Sequence, residues 1–245
     1  MVLISEHLPS AIVTQLKRYG YETVPLPSDP RLAPPVASHP DMLVFITEDT
    51  LISDRTYYHE IAQLQLDHIC QHGRLTLLLA DEPPRSDYPY DIRFNAARIG
   101  RYLFCHPAYT SPTVLAYANE RKWTVVPVRQ GYAGCSVCQV GDHALITADP
   151  SILRAAYQQK DLDVLSVHQG HIALPGYPHG FIGGCCGNDQ NHLFFCGSLS
   201  HHPDGETIRY FARSHGHTVI ELSDAPLFDC GSLMFAPKFT EKKTS

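Results

Sequence analysis

Apolar and polar positions follow a pattern that recurs five times along the chain. Each repeat contains an amphipathic helix of about three turns, a short polar break and an apolar strand. The helices are predicted to begin at Ser10, Tyr57, Ser111, Pro150 and Gly205. One apolar strand precedes each helix, in the segments VLIS, TLIS, RYLFC, HALIT and HLFFC. A further strand is predicted in MLVFI, DIRF, CSVCQV, the segment beginning GFIGGCC, and CGSLMF.

The spacing of these repeats, about forty to fifty residues, is typical of chains built from stacked supersecondary units. A unit of this size cannot bury its apolar face alone, so five of them are expected to share one core. The pattern therefore predicts a single α/β domain over residues 1–236, with helices outside and the last-named strands near a common axis. Residues 237–245, which include three lysines, are predicted to be a solvated tail.

Composition narrows the functional classes. The net charge is −6 and charged residues make up 18% of the 245 positions, which is not the basic footprint of a nucleic-acid-binding protein. No apolar stretch has the length of a membrane span, and Met1 is not followed by a secretory leader, so a cytoplasmic location without membrane contact is expected. The eight cysteines are then expected to be thiols. The sequence indicates no oligomeric state.

Two cysteine pairs raise the question of a metal site. Cys135 and Cys138 form a CxxC motif, and Cys185 and Cys186 occupy the corresponding strand of the next repeat. Four thiolates suit zinc, but successive side chains of a strand point to opposite faces. We therefore predict no zinc, no disulfide and no cofactor. The glycines of segment 180–187 lack the spacing of a phosphate loop and are interpreted as tight turns.

Four short motifs are specific for a known family: HPDM at His39, QGYAGCS at Gln130, GFIGG at Gly180, and DCGSLMF at Asp229. They resemble an uncharacterised bacterial family of the pentein, or guanidino-group-modifying-enzyme, fold. The resemblance covers nearly the whole chain. It implies an α/β propeller of five ββαβ-like units around a pseudo-five-fold axis, with a ligand site on the axis.

The catalytic branches of that fold suggest roles for individual residues. Their nucleophilic cysteine lies in the final turn-to-strand segment, and Cys230 is similar to it in position. Their catalytic histidine and guanidinium-binding acid have no counterpart, because Gln130 and Asn95 stand in the corresponding segments. His39 and His179 are candidate bases from other units. The residues expected to line the ligand site are Asp41, Asn95, Gln130, Tyr132 and Asp229.

Two functional hypotheses follow. The first is binding of a small polar ligand, of guanidine or amino-acid type, with residual thiol-dependent hydrolysis of C–N bonds. The alternative is a non-catalytic scaffold or protein-interaction domain that retained the fold. A histidine within hydrogen-bond reach of Cys230 would favour an enzyme, whereas an axis filled with apolar side chains would favour a scaffold.

Overall fold

The computed structural model describes residues 1–237, which form five three-stranded sheets. Each sheet has a middle strand that pairs in parallel with an outer strand and antiparallel with an inner strand. The middle strands are β1 (Val2–Ser5), β4 (Thr50–Asp54), β7 (Tyr102–Cys105), β10 (Ala144–Thr147) and β13 (His192–Phe195). The outer strands are β2 (Thr23–Leu26), β5 (Thr76–Ala80), β8 (Thr124–Pro127), β11 (Asp163–Ser166) and β14 (Thr218–Glu221). The inner strands are β3 (Val44–Ile46), β6 (Ala97–Ile99), β9 (Val137–Val140), β12 (Cys186–Asp189) and β15 (Met234–Phe235).

Helices connect the middle and outer strands of every unit. They are α1 (Ser10–Arg18), α3 (Arg55–Tyr57) continued by a π-helical turn (Tyr58–Ala62) into α4 (Gln63–Gly73), α5 (Pro112–Glu120), α7 (Pro150–Ala156) and α8 (Gly205–Ser214). Two short helices, α2 (Pro40–Leu43) and α6 (Ala133–Ser136), each precede an inner strand. The five predicted helices and the strands on either side of them are thus confirmed, with ends shifted by a few residues.

Burial explains why the sequence forms these elements. The middle strands are largely apolar, and four of them (β1, β4, β7 and β10) are buried at every position. Such strands are covered on both faces and show continuous apolar runs rather than alternation. The helices bury one stripe only. In α8, for example, Ile208 and Ala212 are fully buried while Tyr210 is 74% exposed.

The ends of the chain meet in one sheet. The last inner strand, β15, pairs with β1 of the first unit, placing Val2 opposite Phe235 and Leu3 opposite Met234. Neighbouring inner strands also contact one another, β6 with β9, β9 with β12, and β12 with β15. The five units therefore surround a pseudo-five-fold axis that is lined by the inner strands, as the repeat predicts.

All five predicted inner strands need correction at their starts. In the segments beginning GFIGGCC and CGSLMF, strand begins only at Cys186 and at Met234. The DIRF segment is not a strand, because Asn95 N donates to Ile92 O at 3.1 Å in a turn and the inner strand begins only at Ala97. In the first and third of these segments, MLVFI and CSVCQV, the first residues form α2 and α6 rather than strand. A turn or helical turn thus comes before these inner strands, and its side chains are presented at the axis.

The tail predicted for residues 237–245 lies, except for Pro237, outside the described residues. Among residues 1–237, no helix combines the length and the apolar character that crossing a membrane requires.

Candidate functional site

Four units contribute side chains to one hydrogen-bonded network at the axis. Asp41, on α2, accepts at Oδ2 from Ser232 Oγ at 2.8 Å and from Cys135 Sγ at 3.1 Å. Asn95 forms two hydrogen bonds with the same cysteine. Its Nδ2 donates to Cys135 Sγ at 3.0 Å, and its Oδ1 accepts from Cys135 N at 3.1 Å. We call these residues, together with Asp229, the axial cluster.

Asp41 is the least satisfied member of the axial cluster. Its side chain is 1% exposed, and its Oδ1 has no hydrogen-bond partner within the described chain. Burial raises the pKa of the Asp41 carboxyl to about 6, although the hydrogen bonds from Cys135 and Ser232 act in the opposite direction. A buried carboxylate oxygen without a donor is costly, so this atom marks a place where a ligand would be stabilising.

Asp229 adds a second buried carboxyl. It accepts from Phe181 N at 2.9 Å and from Gly231 N at 3.0 Å, and both bonds favour the ionised form. Burial and the negative charge of Asp41 nevertheless raise the pKa of Asp229 to about 7. The pKa values of both carboxyls thus lie above the ordinary range of an aspartate, and the charge of Asp41 contributes to the shift of Asp229.

His39 is the group that would be expected to balance these charges. Its Nδ1 lies 3.8 Å from Asp229 Oδ1, too far for a hydrogen bond. Burial lowers the pKa of His39 to about 4, so its imidazole is neutral at pH 7. Within residues 1–237, neither Asp41 nor Asp229 forms an ion pair with a lysine or arginine. The axial cluster thus carries a negative charge that the described side chains do not neutralise.

A cavity of about 470 Å³ leads along the axis to Asp41, and we call it the axial channel. Asp41, Gly134, Gly183 and Ser232 line its floor, where the inner strands begin. Its mouth lies at the opposite ends of these strands, near Thr47, Glu48, Asp189, Gln190 and Pro237, while Arg98, Gln139 and Asn188 lie on the strands between the two ends. The axis is therefore an open channel rather than a space filled by apolar side chains.

Several predicted site residues make their contacts elsewhere. Gln130 Nε2 donates to Asp149 Oδ2 at 2.9 Å, and the Tyr132 hydroxyl donates to Asp91 Oδ2 at 2.5 Å. His179 Nδ1 lies 3.0 Å from Gly180 O. None of these three residues is among those that line the axial channel. Of the predicted ligand-lining residues, Asp41, Asn95 and Asp229 are in the axial cluster, and Asp41 is the one of the three that lines the axial channel.

Cys230 faces away from the axis. Its Sγ lies 3.3 Å from Cys196 Sγ and 3.4 Å from Gly184 O, within an apolar cluster that includes Val2 and Ile4. The contact with Cys196, together with burial, raises the pKa of the Cys230 thiol well above its usual value. No hydrogen bond joins this thiol to His39 or His179 in the described structure. The placement provides neither the base nor the open space that a nucleophilic cysteine needs.

Two members of the axial cluster, Cys135 and Ser232, were not predicted from the sequence. A signal for them existed. Asn95, Cys135 and Ser232 each stand two residues before the first residue of an inner strand, and Asp41 stands three residues before β3. Alignment of the repeats on the starts of the inner strands would have brought all four positions together.

The cysteines give a direct test of this geometry. All eight are buried free thiols, and burial raises the pKa of Cys135, Cys185 and Cys70. We expect iodoacetamide at pH 7.5 to modify each of them at least about 100-fold more slowly in the native protein than in 8 M urea, because the thiolate is disfavoured and shielded. Mass spectrometry of the digested protein measures each site. Rapid native labelling of Cys230 would contradict its placement against Cys196.

The donor groups do not assemble into a metal site. Among the described residues, no three histidine, cysteine, aspartate or glutamate side chains lie in an arrangement that would hold a metal ion. Cys135, which the sequence places on a strand, lies in α6 with its thiol on Asp41, whereas Cys138 lies on β9. The chemistry that the axial cluster offers is therefore hydrogen-bond acceptance and negative charge.

Solved structures with the same fold include enzymes of guanidino chemistry. One is DDAH from Pseudomonas aeruginosa complexed with citrulline (TM-score 0.56, 11% identity, covering 91% of each chain). Another is a dimethylarginine dimethylaminohydrolase adduct with S-methyl-L-thiocitrulline (TM-score 0.56, 11% identity, covering 91% of this chain and 92% of that one). A third is an amidinotransferase from Microseira wollei in the saxitoxin biosynthetic pathway (TM-score 0.58, 12% identity, covering 94% of this chain and 79% of that one).

These similarities establish the pentein fold and, at such low identity, nothing beyond it. No curated protein matches this chain. The resemblance inferred from the sequence motifs is consistent with one further finding, a family model that matches residues 3–234. The chain, a pentein in its fold, belongs to the family described as "Family of unknown function (DUF6873)".

Proposed function

We propose that this protein binds a small organic cation, of guanidinium or ammonium type, on Asp41 at the floor of the axial channel. One observation carries the proposal. Asp41 Oδ1 is buried and has no partner, while Oδ2 is held by Ser232 and Cys135. The two fixed hydrogen bonds orient the carboxylate, and its free oxygen is the acceptor that a cationic N–H group would complete.

The charge of the site supports a cation over a neutral ligand. Burial raises the pKa of both Asp41 and Asp229, the negative charge of Asp41 raises the pKa of Asp229 further, and His39 is neutral near pH 7. A bound cation would favour the ionised form of both carboxyls, because attraction is strong where water is excluded. Binding should therefore release protons near pH 6.5, where the pair is partly protonated.

The fold lends a second, weaker support. The solved structures described above are named as a dimethylarginine dimethylaminohydrolase and as an amidinotransferase, and dimethylarginine carries a guanidinium group. The identity of 11–12% does not transfer their activity. The guanidinium class enters the proposal by this analogy, and the requirement for positive charge comes from Asp41 and Asp229.

The same geometry bears on catalysis. Residual thiol-dependent hydrolysis requires a thiol facing the ligand with a base nearby, and Cys230 lies against Cys196 instead. The open axial channel, in turn, disfavours a pure scaffold, because a filled axis would stabilise the fold better. We therefore propose binding as the function and treat hydrolysis and a scaffold role as outcomes that the experiment can reveal.

Calorimetric titration tests the proposal with two molecules of nearly equal shape. Methylguanidinium is expected to bind at pH 8, whereas neutral methylurea is not. Protonation of the carboxyl pair competes with the cation, so affinity is expected to fall up to about tenfold per pH unit below pH 6. Titration at pH 6.5 in two buffers of different ionisation enthalpy measures the released protons. Equal binding of methylurea, or no binding of the cation, would refute the proposal and leave the scaffold.

A further inference from the structure

Two amide side chains occupy matching positions midway along the axial channel. Gln139 is the third residue of β9 and Asn188 is the third residue of β12, and both are half-buried and line the channel. Each follows a glycine of the floor, Gly134 or Gly183, at the same spacing along the chain. Because β9 and β12 contact each other, the two amides belong to neighbouring walls at the same depth. Two strand residues, roughly 7 Å, separate this depth from the start of the strands next to the floor.

Hydrogen bonds fix the orientation of the Asn188 amide. Its Nδ2 donates to the backbone oxygen of Gln139 at 3.2 Å and lies 3.2 Å from His217 Nε2. His217 Nδ1 lies 3.0 Å from His215 O, which requires a proton on Nδ1 and leaves Nε2 of the neutral imidazole as an acceptor. Both N–H groups of the amide are thus used, and Asn188 Oδ1 is left as its acceptor.

The Gln139 amide is oriented by a similar contact. Its Nε2 donates to Gly141 O at 3.2 Å, so its Oε1 is the free end. Within residues 1–237, no group donates to Gln139 Oε1 or to Asn188 Oδ1. The middle of the channel therefore offers two amide oxygens, each able to accept from an N–H group of a ligand.

Arg98, on β6, also lies between floor and mouth, but its guanidinium is engaged elsewhere. It forms an ion pair with Glu48, its Nε donates to Gly100 O at 2.9 Å, and its Cζ lies 4.5 Å from the Trp123 ring centroid. The charge of Arg98 is thus balanced by a carboxylate. A cation placed at the two amide oxygens would not face an unpaired positive charge from this residue.

From these contacts we infer that the axial channel binds linear polyamines, with a terminal ammonium on Asp41 and an inner ammonium on the oxygens of Gln139 and Asn188. The inference rests on the proposed function and names its ligand class. A secondary ammonium within a chain has two N–H groups, one for each amide oxygen. The distance of roughly 7 Å between floor and amides suits a spacer of three or four methylene groups. A methylene group in place of the inner ammonium would leave both oxygens without a donor, and a site built to hydrogen-bond its ligand rejects such an analogue.

Spermidine and 1,8-diaminooctane are the ligands that test this inference, because the two chains have equal length and differ only in one inner N–H group that methylene replaces. Spermidine is expected to bind at least tenfold more tightly by calorimetry at pH 7.5 in 150 mM NaCl, where salt screens the attraction between exposed charges. A smaller preference, in a protein that binds methylguanidinium, would overturn the inference and leave the proposed function standing. Failure of methylguanidinium and of both amines to bind would overturn both.

A single substitution tests where the inner ammonium binds. Methionine has nearly the length of glutamine but no amide oxygen, so Gln139→Met is expected to reduce the spermidine-to-diaminooctane affinity ratio at least threefold. Gln158→Met makes the same change at an exposed position outside the channel lining and is the matched control. Because the ratio compares two ligands in one protein, a general loss of folded protein does not alter it. An unchanged ratio in Gln139→Met, or an equal fall in Gln158→Met, would overturn the assignment.

Discussion

Asp41→Asn is expected to abolish cation binding, with affinity for methylguanidinium reduced about 100-fold or more, because the substitution removes the buried charge that pairs with the ligand. The asparagine retains an acceptor oxygen for Ser232 Oγ and Cys135 Sγ, so the network that positions residue 41 can persist. Calorimetry at pH 8 measures the loss.

The same substitution is expected to stabilise the protein above pH 7. Burial raises the pKa of Asp41 to about 6 from its ordinary value of 3.8, so the folded state binds more protons than the unfolded state between these values. Stability of the natural protein therefore falls as pH rises through this window, and above it the penalty is at most about 3 kcal/mol. Asp41→Asn lacks that penalty. The gain should appear at pH 8 and not at pH 4.

The titration of His39 does not affect the difference in stability between Asp41→Asn and the natural protein. Its lowered pKa of about 4 gives a contribution of opposite sign, which rises with pH between about 4 and 6.5, but His39 is present in both proteins and cancels in the difference. Urea unfolding at pH 4, 6 and 8 gives the difference in free energy. Ser232→Ala is the matched control, because it removes one hydrogen bond to Asp41 and keeps the charge. Undiminished binding by Asp41→Asn would contradict the assignment of Asp41.

Gly231→Ala adds a single methyl group near the axial cluster and is expected to destabilise the protein strongly. Gly231 has φ +76°, and a Cβ there would lie 2.1 Å from His39 Cβ and 2.2 Å from His39 Cγ. The backbone at this point also joins two units, since Asp41 N donates to Gly231 O at 3.1 Å. Strain and overlap together are expected to lower the free energy of unfolding by about 3–4 kcal/mol.

Gly20→Ala separates the two causes. Gly20 has nearly the same backbone angle, φ +84°, but a Cβ there would meet no atom within 4 Å. Its cost is expected to be about 1 kcal/mol, from backbone strain alone. Urea titration of the two variants at pH 7.5 provides the comparison. Equal losses would show that the approach of His39 to Gly231 does not constrain the fold.

The fold was predictable because its signal is local. Amphipathic helices and apolar strands recur with a regular period along the chain. In α8, for example, Ile208 and Ala212 lie on one stripe, which predicts both the helix and the face that it buries. The prediction was wrong where local pattern and structure differ. Phe94 belongs to an apolar run and is 1% exposed, but it lies in a turn. The turn buries the apolar side chain in the core, so burial does not require a strand here.

The candidate site was only partly predictable, because it depends on side-chain direction at single positions. The repeat placed Asp41, Asn95 and Asp229 near the axis, since they lie between two and five residues before the inner strands β6, β3 and β15. It could not show that Cys135 and Ser232 form hydrogen bonds with Asp41. These residues are separated from Asp41 by 94 and 191 positions in the sequence. Such contacts depend on how five units are rotated about the axis, and this rotation has no counterpart in the pattern of any one unit.

Cys230 shows the limit most clearly. Sequence alone determined five units of helix and strand, their order, and the approach of the final segment to the axis. Tertiary structure decided which atom of that segment faces the ligand. Gly231 and Ser232 both have positive φ, at 76° and 68°, and Ser232 is a residue type that rarely adopts this conformation. With the chain turned in this way, Ser232 Oγ lies on Asp41 and the Cys230 thiol lies against Cys196 in the core, because packing against two neighbouring units holds a backbone conformation that local propensity does not favour.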